Sequence, residues 1–195
     1  MQAHAFQPSA RAHLTLRTSG HNPQTPVPLA PAATPATFRE PHPLMPFLDL
    51  LPAERVQTDF AADDKAALID HLAELLAGEH DDAAVVHAAL DAREQLGSTG
   101  LGHGVAIPHG RSATAGAARA AFVRLAHPID FGADDDQPVD LVAALIVPEH
   151  FTDQHLNLLA ELAELFSDAK LTAALRAAPD AAALRTELSK ARSGG

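Results

Sequence analysis

Three short apolar runs constrain this chain more than anything else in it: GVAI (104–107), AAFVRL (120–125) and VDLVAALIV (139–147). Each is rich in branched residues and bounded by Gly, Pro or Asp, which is the pattern of buried strands. The flanking chain supplies material to cover them. Residues 55–60 read as another short strand, followed by Asp63 as a helix cap and by Leu68, Leu72, Leu75 and Leu76 on one helical face, with Gly78 as the stop. A second helix starts at Asp81 or Asp82 and runs to Leu96. After Pro148 the helical period returns over Thr152–Phe166, Asp168–Ala177 and Pro179–Arg192, with Pro179 suited to a first turn and Asp180 to the positive end of the dipole. The order of one strand, two helices, three strands and three helices predicts a single α/β domain, a three-layer α/β/α arrangement with a mixed sheet.

Composition says where that domain begins. The first 44 residues hold eight of the fifteen prolines, three Arg and one acidic residue, a net charge of +2 in a chain whose total is −11. Such a stretch, without apolar periodicity, cannot bury enough surface to offset its ordering entropy, so residues 1–44 are expected to be a disordered leader. Met45, at the compositional boundary, is an alternative start, and residues 45–195 are expected to form the folded domain. That domain carries −13, which argues against a nucleic-acid surface. No apolar run is long enough for a membrane span. The absence of cysteine excludes disulfides and thiolate chemistry and fits a reducing cytoplasm.

Placing residues at helical intervals puts two polar side chains on apolar faces. Arg93 falls among Val85, Val86, Ala89, Leu90 and Leu96, and His155 falls among Leu158, Leu159, Leu162, Leu165 and Phe166, in the first turn of its helix. Taken alone, Arg93 reads equally as a snorkelling residue, and His155 as a core histidine bonded to a carbonyl. The segment LGSTGLGHGVAIPHGR (96–111) adds a Gly-rich turn with two hydroxyls and a histidine directly after Pro108. Gly100 and its neighbours let backbone N–H groups approach an anion, and Ser98 and Thr99 can donate to it. This is an anion cradle near a nucleophilic imidazole, His109. A neutral imidazole suits phosphoryl acceptance, and a forked guanidinium suits stabilising the spread charge of a loose transfer state. No cofactor and no metal is required when the donor is itself a phosphohistidine.

The run AREQLGSTGLGHGVAIPHGR (92–111) resembles the signature of the enzyme IIA domains of the fructose, mannitol and nitrogen-regulatory type in the phosphoenolpyruvate-dependent phosphotransferase system. PIDF (128–131), QPVDLVAALIVPE (137–149) and HLNLLAELAELF (155–166) follow in the family's order, so the resemblance covers about Phe47 to Leu188. It implies an α/β/α fold, a phosphorylated histidine at His109, a second active-centre histidine at His155 and an anion-stabilising arginine at Arg93. It also implies an HPr-type phosphocarrier protein as donor, and either an enzyme IIB or regulatory protein targets downstream. The opening LDLLPAERVQTD (48–59), DDKAALIDHLAELLA (63–77) and the lack of attached IIB, IIC or HPr-like segments in this chain resemble the nitrogen-regulatory branch.

Three departures from the family pattern stand out: His103 in place of a common Asn, a small and weakly charged stretch at 112–118, and Ala143 and Ala144 in a strand that often holds a large residue. The competing readings are a sugar-delivering enzyme IIA, a regulatory binding domain that takes no phosphate, a metal module built on His103, His109 and His155, and a hydrolase, for which no carboxylate cluster is evident.

Overall fold

The longest apolar run becomes the axis of the molecule. In the computed structural model, which describes residues 47–78 and 82–193, β6 (Val139–Pro148) lies between β5 (Arg119–Ile129) on one edge and β3 (Val105–Ala106) and β4 (His109–Ser112) on the other. β1 (Val56–Phe60) pairs outside β5, and β2 (Gly100–Gly102) outside β3, completing a six-stranded sheet. β1 runs parallel to β5, β5 antiparallel to β6, and β3 and β4 parallel to β6. The sheet is therefore mixed, as expected.

Along β6, Leu141, Ala143, Leu145 and Val147 point to one core, and Val142, Ala144 and Ile146 to the other, following the strand's period of two. The first core is closed by α3 (Asp153–Ser167), α4 (Ala169–Ala177), α5 (Ala181–Ser193) and a short 3-10 turn at Phe47–Leu50; the second by α1 (Lys65–Leu76) and α2 (Ala83–Glu94). This is the α/β/α layering. Phe47, Phe122 and Phe131 are fully buried, each contributing on the order of 2–3 kcal/mol of apolar burial.

Four aspartates set the helix starts. Asp64 accepts from the N–H of Ala67, Asp82 from Ala84, Asp168 from Lys170 and Asp180 from Ala183. The first cap is thus Asp64 and not Asp63, because the Asp64 carboxylate is the one that reaches an unpaired N–H of the first turn. α2 closes at Glu94, so Leu96 lies beyond the helix and is 85% exposed, and Val85 is exposed as well. β2 and β4 fall where no strand is expected, since GLG and HGRS have no apolar alternation; neighbouring strands recruit them. The expected leader 1–44, the boundary at Met45 and the alternative cap Asp81 lie outside the described residues.

β3 and β4 behave as one strand with a break. The offset between partners is unchanged across it, Val105 opposite Leu141 and His109 opposite Leu145. Between them Ile107 turns away from β6, its N–H going to the carbonyl of Thr99 at 2.9 Å, and the Pro108 carbonyl resumes the bonding to β6 by accepting from Leu145 N–H at 2.9 Å. Proline has no N–H to give.

Candidate functional site

His109 is the first residue of β4, directly after the break, and is 9% exposed. Its Nδ1 lies 2.7 Å from the carbonyl oxygen of Ile107, and its Nε2 lies 3.0 Å from Nε of Arg93. A carbonyl can only accept and a guanidinium can only donate, so the ring carries its proton on Nδ1 and keeps a lone pair on Nε2. The main chain thus selects the tautomer and leaves Nε2 as the unprotonated nitrogen.

Arg93 arrives from the last turn of α2 because Gly110 allows it. A Cβ on Gly110 would lie 2.8 Å from the carbonyl carbon and 2.9 Å from the carbonyl oxygen of Ala89, one helical turn before Arg93. Without a side chain there, the backbone of α2 rests directly on β4. A second donor of the guanidinium, Nη1, is fixed on the carbonyl of Gly97 at 2.9 Å. The side chain is therefore anchored at both ends, neither core packing nor a free snorkelling cation.

His155 occupies the first turn of α3, 5% exposed, with its ring centroid 5.2 Å from that of His109. Its Nδ1 is buried without a hydrogen-bond partner, which costs free energy unless a ligand satisfies it. Burial, then the proximity of His109, Arg111 and Arg93, push its pKa down to about 4. His109 is also held below the ordinary imidazole value. Burial is the main cause, the Ile107 carbonyl opposes it, Arg93 and Arg111 add to it, and Glu94 works the other way. Both rings are therefore neutral near pH 7, flanked by two guanidinium groups. Arg111, exposed on β4, is a member of this electrostatic cluster that residue-by-residue reading of the helices did not single out.

The Gly-Ser-Thr-Gly turn borders the site, with its hydroxyls engaged inside the protein. Ser98 Oγ donates to the carbonyl of Phe131 at 2.8 Å and accepts from Gly100 N–H at 3.1 Å. Thr99 Oγ1 and N–H both donate to the Glu94 carboxylate. Gly100 is required sterically, since a Cβ there would lie 2.7 Å from Cβ of Ala133. His103 sits at positive φ in the turn between β2 and β3, with its N–H on Asp135 and its carbonyl accepting from Arg176. Its neighbourhood is the end of α3 and the side of α4, where it borders a cavity with Phe166, Thr172 and Arg176. Among the described residues no three His, Asp or Glu side chains stand close enough to hold a metal, so His103, His109 and His155 do not form one centre. No helix among them is long and apolar enough to cross a membrane.

A mixed sheet covered on both faces, with two neutral histidines and two arginines gathered near a strand break, defines an α/β/α domain with a paired-histidine centre. The chain belongs to the EIIA 2 family of the phosphoenolpyruvate-dependent sugar phosphotransferase system, whose model matches residues 49–191. A nitrogen regulatory protein of Pseudomonas aeruginosa is 43% identical over 122 residues, 62% of this chain and 79% of that protein. The crystal structure of the nitrogen regulatory protein IIA-Ntr from Neisseria meningitidis superposes with a TM-score of 0.70 at 40% identity, covering 72% of this chain and 97% of that one. At 22% identity and a TM-score of 0.61, the mannitol enzyme IIA of Escherichia coli, in complex with phosphorylated mannitol enzyme IIB, shares the fold over 72% of this chain and 99% of its own.

Proposed function

We propose that this protein is a phosphohistidine carrier of the nitrogen-regulatory branch, taking a phosphoryl group on Nε2 of His109 from an HPr-type phosphocarrier protein in the cytoplasm. The observation that carries this reading is the pair of hydrogen bonds on His109: the Ile107 carbonyl holds the proton on Nδ1, and the lone pair of Nε2 faces the Arg93 guanidinium. In the transfer, Nε2 forms a bond to phosphorus while the donor's N–P bond breaks, and the electron pair of that bond returns to the donor imidazole. No water, metal or cofactor takes part. The product ring bears a proton on Nδ1 and phosphorus on Nε2, hence a formal positive charge, which the Ile107 carbonyl stabilises.

Arg93 yields its bond to Nε2 and meets the equatorial oxygens of the passing group, with Arg111 adding positive potential. The unpartnered Nδ1 of His155 supplies a hydrogen-bonding position for the same oxygens. Ser98, Thr99 and Gly100, expected to cradle the anion, engage their donors inside the protein and serve instead to fix the turn that carries the Gly97 carbonyl to Arg93. Exposed Leu96, Leu101 and Leu156, next to this centre in sequence, give an acidic domain an apolar surface for the carrier. Identity to nitrogen regulatory proteins supports the branch, with regulatory protein targets reading the phosphorylation state; the alternative is delivery of the group to an enzyme IIB.

The test is labelling from phosphoenolpyruvate through enzyme I and the carrier. The parent acquires one acid-labile, base-stable phosphate, and His109→Ala acquires none; equal labelling of the two proteins overturns the assignment. Offering the labelled protein to an enzyme IIB separates the branches, since rapid loss of label to enzyme IIB means sugar delivery.

A further inference from the structure

The Glu94 carboxylate lies beside the site without touching His109, and its burial is costly enough to need a reason. Its side chain is 8% exposed, yet it makes an ion pair with Nζ of Lys65 at 2.6 Å and accepts from both the N–H and the hydroxyl of Thr99. A buried carboxylate near an incoming phosphoryl dianion repels it unless compensated. Lys65 is that compensation, and it is fixed in turn by the carbonyl of Phe131 at 2.8 Å and by the Phe131 ring, 4.5 Å from Nζ to the centroid.

What the carboxylate holds is Thr99, and two connections run from Thr99 to the reacting atoms. On one side, the turn back to α2 places the Gly97 carbonyl under Nη1 of Arg93, with Gly97 N–H closing on the Glu94 carbonyl at 3.2 Å. On the other side, the Thr99 carbonyl accepts from Ile107 N–H at 2.9 Å, and the carbonyl of the same Ile107 holds Nδ1 of His109 at 2.7 Å. One carboxylate therefore fixes the relative placement of the guanidinium and the imidazole. Deleting it leaves the core contacts of α2, Val86 and Leu90, in place while freeing the turn that registers Arg93 against His109.

We infer that Glu94, with Lys65 as its counter-ion, is a positioning residue for phosphoryl transfer, acting through Thr99 on both Arg93 and His109. This rests on the reading of His109 as the acceptor.

The experiment is a cycle of Glu94→Gln and Arg93→Ala in the full chain, measuring the transfer rate and the KM for the phosphorylated carrier. Displacement of a positioned group by about 1 Å costs up to roughly a hundredfold in rate, so Glu94→Gln is expected to slow transfer by about tenfold or more, with KM for the carrier unchanged. In the Arg93→Ala background the same substitution costs much less, because one of the two groups it positions is already gone. An equal factor in both backgrounds, or a loss seen entirely in KM, overturns the inference. Should Glu94→Gln fail to fold, Thr99→Val, which removes only the hydroxyl tie, is read in its place and is expected to slow transfer in the same direction by a smaller factor; an unchanged rate there also overturns it. Absence of label on His109 in the parent would instead remove the underlying acceptor assignment, which is a separate and visible outcome.

Discussion

His155 shows how a single residue can trade stability for a poised site. Its folded pKa near 4 lies below the value of about 6.5 for an unfolded histidine. Between those two pH values the unfolded chain binds a proton that the folded protein refuses, so this ring's contribution is fully present above about pH 6.5 and is lost as pH falls toward 4. The span corresponds to about 3 kcal/mol. Urea midpoints measured from pH 7 to pH 4.5 are expected to fall more steeply for the parent than for His155→Gln, with the depressed His109 keeping some slope in the variant. Parallel curves would mean that His155 is already well solvated. Phosphorylation of His109, as proposed, would place a dianion beside the ring and move its titration upward, toward the range where a proton is shared with the phosphoryl oxygens.

The contact between α2 and β4 depends on Gly110 having no side chain. In Gly110→Ala the new methyl meets the Ala89 backbone at 2.8–2.9 Å, so the helix must lift. We expect a loss of about 1–3 kcal/mol on overpacking together with slower labelling of His109, because Arg93 travels with the helix. Denaturation and labelling of the same preparation check this; a stable variant with the parental rate would show that the helix position is not limiting. This contact also marks where sequence reading stops. The central strand, the five helices and the histidine after Pro108 all declare themselves through period, caps and apolar runs. β4 does not, because HGRS acquires its strand conformation only by pairing with β6. Glu94 reads as an ordinary helical carboxylate, and only the folded turn brings Thr99 and Lys65 to it. Ser98 and Thr99 were expected as donors to an anion on chemical type alone, and their geometry shows the hydroxyls directed into the protein.

At the scale of the molecule, Arg124 ties the sheet to the helical layer that holds α4. Buried on β5, it donates from Nη1 to the carbonyls of Leu175, Arg176 and Ala178 at the end of α4, and from Nη2 to Asp59 of β1. It donates to the carbonyls at the helix C-terminus, of which that of Leu175 also accepts from Ala178 N–H. It stands opposite Leu141, four residues along β6 from the partner of His109. Arg124→Met is therefore expected to cost about 2–4 kcal/mol of stability by stranding those acceptors, while His109 labels at the parental rate at temperatures where the variant remains folded. A proportionate loss of labelling would tie the distant brace to the site. The break between β3 and β4 has a consequence of another kind. The atom that chooses which nitrogen of His109 stays unprotonated is the carbonyl oxygen of residue 107, and every amino acid has one. Substitution at that position can change packing but cannot delete the selector, so in the proposed transfer the regiochemistry of the phosphoryl link is insulated from the side-chain variation to which Arg93 and His155 remain exposed.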